Sequence, residues 1–125
     1  MELNVLAVDD DLSMLRVIEL ALQIDGYNVF VAQTAEAARS ILMTKAIALC
    51  VIDLHLADEY GLDLAREIRA RCSARIIILS GMDVAENVDS ANGCDADDFI
   101  AKPIGIRELR SSVKSLLSSK VDASY

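Results

Sequence analysis

Charged and hydroxyl side chains follow four of the apolar runs of this chain, at the point where each run ends. They are Asp9, Asp10 and Asp11 after the first run, Asp53 at the end of the third, Ser80 after the fourth and Lys102 after the fifth. Carboxylates bind a hard divalent cation through oxygen, and an ammonium group binds a phosphoryl group as a point charge. A hydroxyl can donate a further hydrogen bond. The set suits phosphoryl transfer, which needs positioning and charge neutralisation more than covalent machinery.

The elements that must position these side chains are five short apolar runs. The runs cover residues 3–8, 27–32, 48–54, 75–79 and 98–101. They are rich in Val, Ile and Leu and polar on neither face, which is typical of strands in a sheet covered on both sides. Five strand–helix units predict an α/β fold with a parallel sheet and right-handed crossovers. Ligands of such sheets bind outside the carboxyl ends of the strands, where all the polar residues above are expected.

Stretches of helical period lie between the runs. Asp11 is assigned to the first helix N-terminus, where negative charge is favoured; Gly26 ends that helix, Thr34 caps the second, and the third starts near Gly61. The predicted inward-facing stripes are Leu15, Ile18, Ala21 and Leu22; Ala35, Ala38, Ile41 and Leu42; Ala65, Ile68 and Cys72; Val84, Val88 and Ala91, before Gly93; and Ile106, Leu109, Val113, Leu116 and Leu117.

The composition and charge of the chain restrict the classes of protein to which it can belong. The chain has 125 residues, 54% of them apolar, which is enough for one domain with a single core. Its net charge of −8 disfavours direct binding to nucleic acid, because phosphate contacts need clustered Lys and Arg. No apolar run approaches the about 20 residues that span a membrane. The start MELNVLAVDDD lacks the basic segment of a secretory signal, so we expect a cytoplasmic protein.

The cysteines and the histidine do not predict a site of their own. An odd number of cysteines without C-x-x-C spacing argues against a disulfide framework or a zinc site. Cys50, Cys72 and Cys94 are each predicted to be small buried hydrophobes. His55 has no partner His or Cys nearby in the sequence, which argues against a His-based metal site.

Four motifs in order and spacing resemble the receiver domain of two-component response regulators. They are Val8-Asp9-Asp10-Asp11, Val51-Ile52-Asp53-Leu54 with Gly61 eight residues later, Ser80-Gly81, and Lys102-Pro103. The resemblance covers residues 3–118 of one domain spanning 1–125, with 119–125 as a tail or the start of a linker. It implies a flavodoxin-like doubly wound fold, with a five-stranded parallel sheet in the order 2-1-3-4-5 and five helices. That order places the first and third strands side by side.

The resemblance also implies a role for each motif. Asp53 would accept the phosphoryl group, Lys102 would bind its oxygens, and Ser80 would hydrogen-bond them after a switch that also repacks Phe99. The implied cofactor is Mg²⁺, with Mn²⁺ as a substitute, and its implied ligands are Asp9 (through water), Asp10, Asp53 and the backbone carbonyl of His55. The Lys102–Pro103 bond is cis in the family. His55 and Met82 stand where the family tunes dephosphorylation, although a solvated His55 is an equal alternative.

The implied partner is a sensor histidine kinase or a phosphotransfer protein. The domain would catalyse only its own phosphorylation and dephosphorylation, and is not expected to be a turnover enzyme. The face formed by the fourth predicted helix, the fifth strand and the last helix would change its partner on phosphorylation. Its charged residues Asp97, Asp98, Arg107 and Arg110 could form a homodimer. A solvated face is the alternative, since Ser112 stands where the winged-helix regulators have an arginine.

Three other functions fit parts of the sequence. A haloacid dehalogenase-like phosphatase could use Asp9 and Asp11 as its D-x-D motif, but it would leave Asp53 without a role. A flavodoxin-like electron carrier shares the fold, but acids after the first strand would repel a phosphate. A docking domain that works without phosphorylation also remains open. The sequence does not distinguish a stand-alone receiver from part of a longer regulator.

Overall fold

The computed structural model describes residues 3–81 and 96–122. The strands are β1 (Asn4–Val8), β2 (Asn28–Ala32), β3 (Leu49–Asp53), β4 (Arg75–Ser80) and β5 (Asp98–Ala101). The helices are α1 (Leu12–Ile24), α2 (Ala35–Thr44), α3 (Gly61–Arg71) and the C-terminal helix (Ile106–Asp122). The fourth predicted helix at 84–91, with Met82, Gly93 and Cys94, lies outside the described residues.

The five strands form one parallel sheet in the order β2-β1-β3-β4-β5, which confirms the predicted order. In the register, Val8 pairs with Ile52, and Asp53 pairs with Leu79. The carboxyl ends of β1, β3, β4 and β5 therefore meet along one edge, as expected for the polar residues that follow them.

The core consists of two layers, one on each face of the sheet. Alternate strand residues, such as Leu6 and Ile52, pack with α2 and α3 on one face. The intervening residues, such as Val5 and Val51, pack with α1 and the C-terminal helix on the other. Every residue of β3 is buried. This explains why the strands read as continuous apolar runs.

Three predicted helix signals are confirmed. Asp11 caps α1 by accepting hydrogen bonds from the backbone N–H groups of Ser13 and Met14. The Thr34 hydroxyl accepts from the Ala37 N–H of α2 at 3.0 Å. Gly26 follows the end of α1 with φ of +90°, a conformation that glycine adopts without strain.

One prediction near a helix end is corrected. Cys72 is exposed rather than part of a buried stripe, because α3 ends at Arg71 and the backbone is extended at Cys72. Cys50, by contrast, is buried as predicted. The C-terminal helix continues to Asp122, into the range predicted as a tail. Within the described residues, no helix has the length and apolarity needed to cross a membrane.

Candidate functional site

Three carboxylates meet at the carboxyl edge of the sheet. Asp9, Asp10 and Asp53 each offer an oxygen, and these oxygens lie within 4.8 Å of one another. Asp9 is fully buried and Asp53 is 6% exposed, whereas Asp10 faces solvent. The structure therefore brings together the three side chains that the sequence proposed as metal ligands.

The sheet fixes where two of these side chains stand. Because β1 and β3 are neighbours and Val8 pairs with Ile52, the next residues, Asp9 and Asp53, leave their strands at the same level. The Asp9 N–H donates to the Ala32 carbonyl at 3.1 Å, which holds the backbone to β2. The Asp11 N–H donates to Asp9 Oδ1 at 3.0 Å, which orients the carboxylate.

Lys102 joins the two buried carboxylates. Its Nζ lies 3.1 Å from Asp9 Oδ2 and 3.1 Å from Asp53 Oδ1. Its backbone N–H donates to the Ser80 carbonyl at 2.6 Å, so the end of β4 places the lysine. The Lys102–Pro103 peptide bond is cis, as the resemblance implied.

The charges of the site do not balance. Burial raises the pKa of Asp9, and the Asp53 charge adds to the effect, while the Asp11 N–H and Lys102 oppose it. Burial acts to lower the pKa of Lys102, but its bonds to Asp9 and Asp53 outweigh this and raise it. The cluster therefore holds three carboxylates, and the ammonium group of Lys102 contacts two of them, Asp9 and Asp53. This excess of anionic oxygen fits a hard divalent cation.

Ser80 and Phe99 occupy neighbouring strands near this edge. Ser80 ends β4 and is 1% exposed. Phe99 lies in β5 opposite Ile78 and packs against the core layer of α2 and α3. The role of Ser80 and Phe99 in a conformational switch stays a prediction.

The segment after Asp53 turns back on itself. His55 is exposed, pairs with Tyr60 through an isolated bridge, and its ring lies 5.7 Å from the tyrosine ring. The Gly61 N–H donates to the Leu54 carbonyl at 2.6 Å. A Cβ at Gly61 would lie 2.3 Å from the Asp53 carbonyl oxygen, so only glycine fits this close approach.

Sequence reasoning missed four residues that hold this segment. Asp58 bonds the start of α2, and Arg39 of α2 binds Glu59 and Glu67. Their partners lie 20 to 28 residues away along the chain, so no local pattern indicated them.

The charged surface predicted for a homodimer is largely satisfied within the chain. Asp97 binds Arg69 at 2.5 Å and Arg75 at 3.6 Å, and Asp98 accepts a hydrogen bond from the Ser112 hydroxyl. Arg110 binds Asp25 at 2.7 Å. These three residues therefore have partners within the chain, and the homodimer through this face stays a prediction.

Comparison with known proteins agrees with this geometry. Residues 5–114 match the response regulator receiver domain family. The chain is 33% identical over 121 residues to the response regulator ArlR of Staphylococcus epidermidis, covering 95% of this chain and 54% of that protein. It is 34% identical over 117 residues to the aerobic respiration control protein ArcA of Escherichia coli, covering 92% of this chain and 48% of that protein. The chain thus spans about half the length of these relatives.

Solved structures give the same result. A CheY-like receiver domain protein of Methanospirillum hungatei superposes with a TM-score of 0.91 at 27% identity, covering 98% of this chain and 99% of that one. A receiver protein of Pseudomonas putida superposes with a TM-score of 0.82 at 36% identity, covering 92% and 98%. The phosphatase alternative finds no support in these matches. The chain belongs to the response regulator receiver domain family of two-component systems.

Proposed function

We propose that Asp53 accepts a phosphoryl group from a phosphohistidine of a sensor histidine kinase or a phosphotransfer protein. The observation that carries this proposal is the position of Lys102, whose Nζ lies 3.1 Å from both Asp9 and Asp53. A half-buried lysine between two buried carboxylates, with a third carboxylate beside them, suits an anion that arrives later.

Each side chain has a task in the transfer. An Asp53 carboxylate oxygen attacks the phosphorus, the new O–P bond forms as the P–N bond to the histidine breaks, and the imidazole keeps the bonding pair and takes up a proton. Lys102 loses its contact with Asp53 Oδ1 and binds the arriving phosphoryl oxygens as a point charge. Asp9 keeps the lysine in place, because the Asp11 N–H fixes its carboxylate.

Asp9, Asp10, Asp53 and the backbone carbonyl of His55 would hold Mg²⁺, for which Mn²⁺ could substitute. When bound, the ion supplies the positive charge that lets a carboxylate approach a phosphoryl group. The acyl phosphate would then bias Ser80 and Phe99 and alter the face that includes β5 and the C-terminal helix. The chain would act in the cytoplasm as a signalling domain that modifies only itself.

Labelling with a small phosphodonor tests the proposal. We expect acetyl phosphate with Mg²⁺ to add one acid-stable, base-labile phosphoryl group, and peptide mapping to place it on Asp53. Asp53→Asn, which keeps the volume of the side chain, should not be labelled. Removing Mg²⁺ with a chelator should abolish labelling of the natural chain. Equal labelling of Asp53→Asn, or labelling that is indifferent to the ion, would overturn the proposal.

Use of the domain for docking without phosphorylation is the remaining alternative. It predicts that the natural chain is not labelled while it still binds its partner. The same experiment therefore separates the two functions.

A further inference from the structure

The segment between β3 and α3, residues 54–60, is here called the β3–α3 loop. It follows Asp53 directly and carries His55, whose carbonyl is a proposed metal ligand. Two of its backbone N–H groups bond as follows: the Leu54 N–H donates to the Leu79 carbonyl at 2.8 Å, and the Leu56 N–H donates to the Glu59 carbonyl at 3.2 Å. Leu54 and Leu56 are buried, but His55 between them is exposed.

Asp58 ties this loop to α2. Its Oδ1 accepts from the Ala35 N–H at 3.0 Å and its Oδ2 from the Glu36 N–H at 3.3 Å. These are two of the N–H groups that a helix start cannot bond internally. The bond from Ala35, above all, holds the pKa of Asp58 below its ordinary value of 3.8, so the carboxylate is charged at neutral pH. A negative charge is favoured at this end of a helix.

A second tie runs through the next loop residue. Both oxygens of Glu59 lie within 2.7 Å of Arg39 Nη2 on α2. The same arginine binds Glu67 of α3 through Nε and Nη2, at 2.8 to 3.1 Å. The loop is thus joined to α2 and α3, which pack on this face of the sheet.

The start of α2 is itself fixed relative to the carboxylate cluster. The Ala32 carbonyl at the end of β2 accepts from the Asp9 N–H, and α2 begins only three residues later, at Ala35. Asp58 therefore connects the loop after Asp53 to a helix whose first turn is anchored beside Asp9. The loop is therefore held at two places: at the end of β3 by the chain itself, and at the start of α2 by Asp58.

We propose that Asp58 is a positioning residue of the phosphoacceptor site, which holds the His55 carbonyl in place by capping α2. This inference rests on the proposed function. It predicts that removal of the Asp58 carboxylate weakens Mg²⁺ binding although Asp58 is not itself a ligand.

The experiment compares Asp58→Ala, Asp58→Asn and Thr34→Ala in the full chain. Thr34 is the matched control, because it caps the same helix through the Ala37 N–H but makes no bond to the loop in the described residues. Asparagine is also a good helix cap, so Asp58→Asn tests whether one restored hydrogen bond is enough. Two readouts are used: Mg²⁺ affinity by calorimetric titration, and hydrogen exchange of the Leu56 and Gly61 amides in metal-free protein.

In Asp58→Ala we expect a Mg²⁺ dissociation constant about fivefold higher, the scale of a lost helix cap, and faster exchange of both loop amides. Asp58→Asn should recover most of the affinity. Thr34→Ala should be destabilised to urea but should keep the affinity and amide protection of the natural chain.

Equal affinities in Asp58→Ala and the natural chain would overturn the positioning role. So would equal losses in Asp58→Ala and Thr34→Ala, since Asp58 would then be only a helix cap. A natural chain that binds no Mg²⁺ and takes no label would overturn the proposed function itself, and the positioning role with it. The two failures are therefore distinguishable.

Discussion

Replacement of Gly61 by alanine is predicted to lower the free energy of unfolding, because the structure leaves no space for a Cβ at this position. A Cβ at this position would lie 2.3 Å from the Asp53 carbonyl oxygen and 2.9 Å from Leu54 Cα. Both are backbone atoms, so no side chain can rotate away. In Gly61→Ala the contact with the Asp53 oxygen must lengthen from 2.3 Å to at least 3.0 Å. The start of α3 and the end of β3 must therefore separate.

The magnitude follows from two costs and one gain. Overpacking of this kind costs about 1–3 kcal/mol. Separation also weakens the bond from the Gly61 N–H to the Leu54 carbonyl, which is 2.6 Å long, at a further cost of about 1 kcal/mol. Replacing glycine returns at most about 1 kcal/mol by restricting the unfolded chain. We expect a net loss of about 2 kcal/mol in the free energy of unfolding.

Urea unfolding followed by far-UV circular dichroism measures this loss. A change of about 2 kcal/mol lowers the urea midpoint by about 1 M. Gly105→Ala is the matched control, because a Cβ there would meet only Glu108 Cβ at 3.8 Å. Alanine is a poorer helix cap than glycine at that position, which biases the comparison against our prediction. If Gly61→Ala unfolds at the same urea concentration as Gly105→Ala, the steric reasoning is refuted.

Two further predictions concern residues outside the site. Arg110→Met should lower the free energy of unfolding only slightly near neutral pH, because the ion pair with Asp25 is partly exposed and screened. Since the bond to Arg110 lowers the pKa of Asp25 from 3.8, the pair stabilises the fold fully above pH 3.8 and loses this effect as pH falls through the lowered pKa. If the difference in the free energy of unfolding between Arg110→Met and the natural chain persisted in acid, this reasoning would be contradicted. Arg107→Met is the control variant. A thiol reagent should modify Cys72 at least about a thousandfold faster than Cys50, which is fully buried, as peptide mapping will show; comparable rates would refute the core assignment.

The fold was predictable because each strand is a short, continuous run of apolar residues in the sequence. In a parallel sheet covered on both faces, a strand such as β3 is expected to be apolar up to its carboxyl end, and Leu49–Asp53 is buried along its whole length. The starts of α1 and α2 were predictable from the sequence for a different reason. Asp11 and Thr34 bond N–H groups within the next three residues, so cap and helix are adjacent in the sequence.

Tertiary bonds were not predictable in this way. Asp58 caps a helix that begins 23 residues earlier, and nothing near it in the sequence indicates that helix. Cys72 shows a related failure. Its spacing continues the stripe of α3, but the helix ends one residue before it, and periodicity alone does not report where the backbone turns away.

Two acidic doublets show what separates function from structure in this chain. Asp9-Asp10 and Asp97-Asp98 are both pairs of neighbouring aspartates, but Asp9-Asp10 follow the end of β1 whereas Asp97-Asp98 stand at the start of β5. Asp97 is bound by two arginines, and Asp98 accepts a hydrogen bond from a serine hydroxyl.

Asp9-Asp10 differ because they form a cluster with Asp53, in which Lys102 pairs with the two buried carboxylates, Asp9 and Asp53, at once. Uncompensated buried charge lowers stability, and the fold offers no packing reason to keep it there. Such an imbalance is expected where a protein binds something that carries the missing charge. Substituting Asp53→Asn should therefore raise the free energy of unfolding in the absence of Mg²⁺ and not in its presence, while Asp97→Asn should lower it in both conditions. Denaturant titration of both variants, with and without the ion, measures this contrast. If Asp53→Asn destabilises the metal-free chain as much as Asp97→Asn does, the imbalance is only apparent.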